Sequence, residues 1–257
     1  MSTASGNFIS ALSSIEKIVE GEFPISPVIA IILSSFRGND IERDSIVITQ
    51  IRLLLQYYEY LQDKRNVSLL ENALRGHFTV EDYVTSIREI NRCYDVMIGN
   101  PPYIEYSNLT TVPQGNFGNA YCDVLNNVTR ELKNTGSIAF VVPLSYVSTP
   151  RMNAIRDIFR ASFKKQFVLS FADRPDCLFV GAHQKLCIII ASRKSTEDTR
   201  GIYTSTYYYW YKSERNKLFN SLSVYRNVFV SVSGAPKIGN IQESHLYQKT
   251  HLGGRSL

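Results

Sequence analysis

The sequence predicts an α/β protein built on a doubly wound sheet with helices on both faces. Short apolar runs rich in β-branched residues alternate with longer helical patterns through most of the chain. Several of these runs are apolar at successive positions, as expected for strands that helices cover on both sides. The 257 residues are 44% hydrophobic, which is enough for a substantial core and part of a second domain. This alternation is typical of doubly wound sheets.

Six runs are predicted as strands because each is short, apolar and rich in β-forming residues. They are Val28–Leu33, Val67–Leu70, Tyr94–Ile98, Ser137–Val142, Gln166–Phe171 and Lys185–Ala191. Three segments between them have helical patterns with terminal signals. They are Arg43–Asp63, the segment from Thr79 as N-cap to about Asn91, and Ala120–Lys133, which is expected to stop near Gly136.

The alternation ends near Lys194, and a soft domain boundary is predicted at about residue 195. Beyond it, Ile202–Tyr211 and Val224–Val232 have the composition of strands without a long helix between them. Residues 1–195 are therefore expected to form the first domain. Residues 196–257 are expected to form a linker or the beginning of a further region.

Charge and composition exclude several classes of protein. Lys and Arg outnumber Asp and Glu by 28 to 23, which is compatible with a polyanionic partner without requiring one. The four cysteines have neither CxxC spacing nor His/Cys spacing typical of zinc, so no metal site is predicted. The amino terminus lacks the features of a signal peptide, and Val28–Leu33 is too short to span a bilayer. We expect a cytoplasmic protein without membrane contact.

The segment that carries chemistry follows the run Tyr94–Ile98 and reads Gly99-Asn100-Pro101-Pro102-Tyr103. Ligands of open α/β sheets bind at the carboxyl ends of strands. The two prolines fix φ and restrict Asn100 to extended conformations, which makes the turn stiff. It would present two acceptors, the Asn100 side-chain oxygen and the Pro101 carbonyl, beside the flat ring of Tyr103. Such a site suits a planar exocyclic amine, while the competing interpretation is a simple turn.

This sequence resembles the amino-methyltransferases, most closely the adenine-specific restriction–modification DNA methyltransferases whose cofactor motifs precede the Asn-Pro-Pro-Tyr motif. The resemblance spans about residues 4–194. It implies a Rossmann-like sheet that binds S-adenosylmethionine, double-stranded DNA as substrate, and methyl transfer to adenine N6. A restriction or specificity subunit is a further expected partner. By resemblance, Asn100 and Pro101 hold the target amine, Pro102 belongs to the same catalytic turn, and Tyr103 stacks on the base.

The resemblance also assigns roles outside the motif. Asp40, or Glu42 as the alternative, would bind the cofactor ribose hydroxyls, and Asn72 would approach the cofactor adenine. Phe179 matches a ring that packs against the flipped target base. Each has a plainer interpretation: a surface N-cap before the Arg43 helix, a loop amide and a core aromatic, respectively. The loop Gln114–Asn119 could fold over the base or simply be exposed.

Two departures from the family pattern predict a chain that is truncated at both ends. Ala4-Ser5-Gly6-Asn7-Phe8 resembles the end of the cofactor loop, with Gly6 at its second glycine. The first strand of the sheet would then lie before Met1, and its absence is expected to lower both cofactor affinity and stability. Residues 196–257 leave little room for a target-recognition region. The tyrosine-rich run Tyr207–Tyr211 could begin that region, although a hydrophobic hairpin explains it as well.

Three other functions share some of these features. Methylation of a protein glutamine and methylation of ribosomal RNA at guanine N2 also use Asn-Pro-Pro-Tyr turns. A non-catalytic remnant that binds DNA or a partner subunit without cofactor is the alternative from a different class, and the missing first motif supports it.

Overall fold

The computed structural model describes residues 25–56, 67–68, 71–72, 74, 76–86, 90–111, 113, 115–179, 181, 183–194, 200–231 and 234–251. The chain divides into two compact units, the first ending at Tyr83 and the second beginning at Val84. None of the helices in these described ranges is long and apolar enough to cross a membrane.

The first unit combines two helices with a two-stranded parallel sheet. Its elements are α1 (Ile25–Ser34), β1 (Gly38–Asp40), α2 (Arg43–Leu55) and β2 (Phe78–Val80). A small core forms where Ile29 and Leu33 of α1 meet Leu74. Phe78 packs against this cluster, and a Cβ on Gly38 would lie 2.3 Å from its ring. Glycine at position 38 therefore allows the two strands to pair closely.

The strand predicted at Val28–Leu33 is wrong, because these residues lie in α1. A short apolar run looks the same whether it is a buried strand or part of a buried helix. Pro27 lies in the first turn of α1, where the missing N–H leaves no helical hydrogen bond unmade. At the other end, the hydroxyls of Ser34 and Ser35 donate to the Ile31 carbonyl.

Two further predictions in this unit are corrected. Thr79 lies in β2, paired with Asn39 of β1, and so does not cap a helix. The Asn39 side-chain amide donates to the Thr79 hydroxyl at 3.0 Å. Strand pairing thus overrides the local capping signal. Val67 and Ser68 are helical, not extended, and the rest of that predicted strand lies outside the described residues.

The second unit contains a six-stranded mixed sheet in the order β3-β4-β6-β5-β7-β8. Its strands are β3 (Tyr94–Gly99), β4 (Leu132–Pro143), β5 (Lys165–Phe171), β6 (Leu186–Ser192), β7 (Gly201–Tyr208) and β8 (Tyr225–Arg226). β3, β4, β5 and β7 run in one direction, whereas β6 and β8 run in the other. The predicted α/β class is confirmed.

Helices of the second unit follow the strands in sequence. They are α3 (Ala120–Glu131), α4 (Ser145–Ser148), α5 (Asn153–Ser162) and α6 (Ile241–His251), with short 3-10 helices at Tyr106–Asn108, Pro150–Met152 and Lys212–Asn220. The core contains fully buried rings of Phe159 and Phe163, whose centroids are 5.0 Å apart. A second cluster joins Phe171 and Trp210 in an edge-to-face contact.

Four predicted strands, at 94–98, 137–142, 166–171 and 185–191, are confirmed to within a few residues. The helix predicted at Ala120–Lys133 is also confirmed, but it ends at Glu131. Gly136 lies inside β4 and does not terminate the helix. A Cβ at this position would lie 3.0 Å from the Asp95 carbonyl oxygen of β3. Glycine is required there by the close approach of two strands.

The sheet continues past residue 195, because β7 pairs in parallel with β5. β7 ends at Tyr208, before the predicted end of that strand. Within the described part of the last predicted run, Tyr225–Arg226 form β8, and Ser231 makes an isolated β-bridge with Gly234. Beyond β7, the buried side chain of Trp210 makes an edge-to-face contact with Phe171 of β5. The functional division into residues 1–195 and 196–257 stays a prediction.

β3 forms an edge of the six-stranded sheet, and among the described strands it pairs with β4 alone. Val96 and Ile98 are 65% and 76% exposed, although both are large and apolar. Exposed apolar side chains on an edge strand are unusual, since such edges invite pairing with other chains.

We expect the same substitution to have different effects on neighbouring strands. Ile98→Ala should change the free energy of unfolding by less than about 0.5 kcal/mol, because the side chain is exposed. Ile138→Ala on β4 should cost about 2–5 kcal/mol, because that side chain is 1% exposed. Urea unfolding of both variants measures the difference. A loss above about 2 kcal/mol at Ile98 would contradict its exposure.

Candidate active site at the carboxyl edge of the sheet

The candidate site lies where several strands of the second unit end. Because β3, β4, β5 and β7 are parallel, their carboxyl ends share one edge of the sheet, called here the carboxyl edge. The first residue of antiparallel β6, Leu186, pairs there with Pro143 and Phe171. The Asn-Pro-Pro-Tyr turn begins directly after Gly99, the last residue of β3. The structure therefore places this turn at the edge that the sequence predicted.

Local contacts define the turn itself. Pro101 is buried, whereas Asn100 and Pro102 are exposed. The Tyr103 hydroxyl donates to the Val141 carbonyl at 3.1 Å and also contacts the Asn100 side-chain oxygen. Tyr103 is thereby attached to the end of β4, and Asn100 is attached to Tyr103. A carboxamide oxygen has two lone pairs, so Asn100 can accept a further hydrogen bond.

The phenol of Tyr103 is held in its neutral form. Burial raises the pKa of Tyr103 to about 12, with a smaller contribution from the neighbouring Cys187 thiol. The hydroxyl therefore remains protonated at physiological pH and continues to act as a hydrogen-bond donor.

A broad, open cavity of about 510 Å³ lies next to Tyr103. Its lining residues come from the segments that leave the carboxyl edge. They are Tyr103, Glu105, Asn119, Pro143, Leu144, Ser145, Ser148, Thr149, Asp173, His183, Gln184 and Lys185. The lining thus combines an aromatic ring with hydroxyls, amides and charged groups, which suits a flat ligand that carries hydrogen-bonding groups.

An ion pair holds one wall of this cavity. Both terminal nitrogens of Arg151 lie 2.8 Å from the Glu105 carboxylate oxygens, which is a bidentate arrangement. The Asn119 side-chain amide donates to the same carboxylate at 2.9 Å, and the Asn119 oxygen accepts from the backbone N–H of Tyr121. Glu105 thus connects the segment after the turn to the start of α3. Because the pair is partly exposed, its value is positional more than energetic.

Hydrogen bonds of the Tyr106 hydroxyl also hold the segment after the turn. The Tyr106 hydroxyl donates to Asp123 of α3 at 2.6 Å and accepts from the Phe117 backbone N–H at 3.0 Å. Burial raises the pKa of Asp123, and its hydrogen bond with Tyr106 partly offsets this increase. The Tyr106 hydroxyl therefore joins the two ends of the loop between Tyr106 and Phe117 and attaches them to α3. The predicted loop 114–119 reaches the cavity through Asn119.

The residues predicted to bind cofactor lie in the first unit. Asp40 ends β1, and its Oδ1 accepts from the Glu42 backbone N–H at 2.8 Å. Glu42 is exposed and precedes the first residue of α2. Asn72 is exposed on helical backbone and not in a loop. Gly6 lies outside the described residues.

Phe179 lies in the second unit and is 39% exposed. It is not among the residues that line the cavity, and its carbonyl accepts from the Cys177 thiol at 2.9 Å. Its role in stacking on a base stays a prediction. His183, by contrast, lines the cavity before β6 begins.

The sequence alone does not indicate several residues of the site. Glu105 is two residues beyond Tyr103, yet a lone Glu after a turn carries no signal without its partner. Arg151 and Asp173 come from segments 46 and 68 residues after Glu105, respectively. Only the parallel strand order brings these segments to one edge.

Comparison with known proteins gives a family match. Residues 34–175, more than half of the chain, match the family described as Eco57I restriction-modification methylase. A comparison with curated proteins gives no match.

Two solved structures share the fold. One is a nuclease-deletion mutant of the Type ISP restriction-modification enzyme LlaGI in complex with a DNA substrate mimic; it is 14% identical, with a TM-score of 0.54 over 88% of this chain. The other is the ATP-dependent Type ISP enzyme LlaBIII bound to DNA, with the same identity, TM-score and coverage of this chain. The match covers 23% of the LlaGI chain and 19% of the LlaBIII chain. With the motif at the carboxyl edge and the family match over residues 34–175, this chain belongs to the Eco57I restriction-modification methylase family.

Proposed function

We propose that this chain is the catalytic part of a DNA adenine-N6 methyltransferase that uses S-adenosylmethionine within a restriction–modification system. The observation that carries the proposal is the exposed Asn100 at the carboxyl edge, attached to Tyr103 beside a polar cavity. Family membership supports methyl transfer. The stiff Asn-Pro-Pro-Tyr turn supports an amine as the acceptor.

These residues would act by holding the target amine in the orientation that methyl transfer requires. The Asn100 side-chain oxygen and the Pro101 carbonyl accept the two N–H bonds of the target amine, which leaves the nitrogen lone pair free. Pro102 keeps the turn rigid, and the Tyr103 ring stacks on the base, with Phe179 as the second ring. Holding the amine in line and polarising its N–H bonds are the two main sources of acceleration.

The proposed cofactor residues suit a ribose in their chemistry. Asp40 uses Oδ1 for the turn into α2, and a carboxylate has further acceptor sites for a sugar diol. Glu42 is the alternative, Asn72 would approach the adenine ring, and Gly6 would belong to the cofactor loop. When bound, S-adenosylmethionine supplies an electrophilic methyl group on a sulfonium.

Double-stranded DNA is the proposed substrate, with the target adenine flipped out of the stack to reach the cavity. The cavity volume of about 510 Å³ falls within the usual range for ligand sites. The solved structures LlaGI and LlaBIII are described with DNA, which supports this choice of substrate. Since this chain spans a small part of those chains, we propose that it works with a restriction or specificity subunit or region. Residues 1–195 would carry catalysis, and residues 196–257 would lead toward target recognition.

Transfer of labelled methyl from S-adenosylmethionine to mixed-sequence DNA, followed by nucleoside analysis, tests the proposal. N6-methyladenine is the expected product. The same assay with ribosomal RNA or a protein as the acceptor tests the alternatives, because label in guanine or in glutamine would identify one of the other methyltransferases. A folded chain that neither binds cofactor nor transfers methyl would be the non-catalytic form.

Asn100→Ala should abolish methyl transfer and leave cofactor affinity within about twofold, because Asn100 is proposed to contact only the target amine. Cofactor titration and methyl transfer are measured on the same preparation. Asn108→Ala, another exposed asparagine that does not line the cavity, is the matched control and should keep full activity. Parallel loss of cofactor binding would mean that Asn100 supports the fold instead.

Two substitutions separate the ring of Tyr103 from its hydroxyl. Tyr103→Ala should lower kcat/KM by about ten- to a hundredfold, since a stacked base is worth about 1–3 kcal/mol. Tyr103→Phe keeps the ring and loses the hydroxyl's contacts with the Val141 carbonyl and the Asn100 side chain, so its loss should be smaller than that of Tyr103→Ala. Fluorescence of 2-aminopurine at the target position reports base flipping in each variant. Equal losses would assign the effect to the hydroxyl.

Asp40→Asn should raise the Kd for S-adenosylmethionine by about tenfold or more, because a charged hydrogen bond is worth about 1.5–3 kcal/mol. An Asn side chain still offers an oxygen to the Glu42 N–H, so unfolding should change by less than about 0.5 kcal/mol. Glu42→Gln is the matched control and should bind normally. The reverse pattern would give the ribose role to Glu42.

A further inference from the structure

A series of basic residues lies at the edge of the six-stranded sheet opposite the carboxyl edge, where the parallel strands begin. We call this series the cationic row; its members are Arg92, Lys133, Arg193, Lys194, Lys164, Lys165, Arg200 and Arg226. In that order they follow the strands across the sheet, and each of the six strands contributes at its end at this edge. The sequence scatters these residues over more than half of the chain.

Strand register confirms that the row lies on one edge. Lys165 of β5 pairs with Ser192 of β6 on one side and with Gly201 of β7 on the other. Arg193 donates its backbone N–H to Gly136 of β4 at 3.0 Å. Arg226 of β8 pairs with Tyr203. Neighbouring strands are about 4.8 Å apart, so the five steps from β3 to β8 make a row about 24 Å long.

Backbone carbonyls orient several of these side chains without neutralising their charge. The Arg193 guanidinium donates to the Leu132 carbonyl at 2.6 Å, and Arg200 donates to Ala161 at 3.0 Å. Arg226 donates to the Arg200 carbonyl at 3.3 Å. Within the described part of the chain, Lys133 is the member with a carboxylate partner, Asp95 at 2.6 Å. The guanidinium groups of Arg193 and Arg200 are held in place by these carbonyls. The row members that are exposed include Lys164, Lys194, Arg200 and Arg226.

Cations this close repel one another. Burial, and then the positive charge of Arg92, lowers the pKa of Arg193. Glu197 and Asp198 follow Lys194 in the sequence and lie outside the described residues; even both together leave the row with an excess of positive charge. Such a series weakens the folded state unless a polyanion meets it.

We propose that the cationic row binds the sugar–phosphate backbone of nucleic acid, independently of base sequence and separately from the site of methyl transfer. Regularly spaced cations on a straight edge fit a linear polyanion with regularly spaced charges. β5 runs from Lys165 to Phe171, so about 20 Å separates the row from the carboxyl edge. The contact does not involve Asn100, and it would hold a segment of nucleic acid other than the one being methylated.

Lysine acetylation with mass spectrometry tests the location of this contact on the full chain. A mixed-sequence DNA duplex should protect Lys164 and Lys194, which are both exposed members of the row, and should leave exposed Lys249 outside it reactive. Poly-glutamate is the comparison polyanion. Protection by poly-glutamate but not by the duplex would make the row a docking surface for an acidic protein and overturn the proposal, as would protection by neither.

The variant K164E/K194E tests the energetics against the charge-matched control K217E/K249E, whose lysines are also exposed. In the row variant, the slope of log K against log salt for the duplex should become less steep by about 1.8. Affinity for the duplex at moderate salt should fall about tenfold or more. The control should stay within about twofold of the unmodified protein. Equal slopes in the two variants would overturn the proposal.

Combining these variants with Asn100→Ala separates this contact from the proposed reaction. Asn100→Ala should lose methyl transfer and keep the protection of Lys164 and Lys194. K164E/K194E should keep methyl transfer at saturating DNA. If the unmodified protein transfers no methyl group, protection of the row still decides whether this edge binds nucleic acid.

Discussion

The parallel pairing of β3 with β4 is the interaction on which the candidate site depends. It places Gly99 beside Phe140, where a Cβ would lie 2.7 Å from the ring, and Gly136 close to the backbone of β3. The turn after Gly99 therefore starts beside the end of β4. From there Tyr103 reaches the Val141 carbonyl. Without this pairing, Asn100 and Tyr103 would still form a stiff turn, but no cavity would lie beside it.

The segment after the turn shows how a weakly bonded surface loop can be given one position. The Glu105–Arg151 ion pair is half exposed, and exposed pairs contribute little to stability. Its geometry is nevertheless bidentate, and Asn119 joins it from the N-cap of α3. The partly buried hydrogen bond between Tyr106 and Asp123 holds the far side of the loop. Two anchors of different strength together define the wall of the cavity.

The mixed direction of the strands separates two surfaces of different character. Antiparallel β6 begins at the carboxyl edge, so His183 and Lys185 before it contribute to the cavity. The same strand ends at the opposite edge, where Arg193 and Lys194 enter the cationic row. If β6 were parallel to its neighbours, the residues before it would lie at the opposite edge and those after it at the carboxyl edge. One inserted strand thus supplies polar groups to both edges.

Local sequence determined the turn Asn100–Tyr103 and the four strands at 94–98, 137–142, 166–171 and 185–191, because stiff prolines and apolar β-branched runs act over short distances. Local sequence could not determine that Val28–Leu33 is helical or that Thr79 lies in a strand. At both places the local preferences are nearly equal, and contacts with residues far along the chain decide between helix and strand. Tertiary structure alone decided the contact of Glu105 with Arg151, the cavity and the alignment of the cationic row. Each of these depends on strand order, because strand order places residues that are distant in sequence on one edge of a sheet.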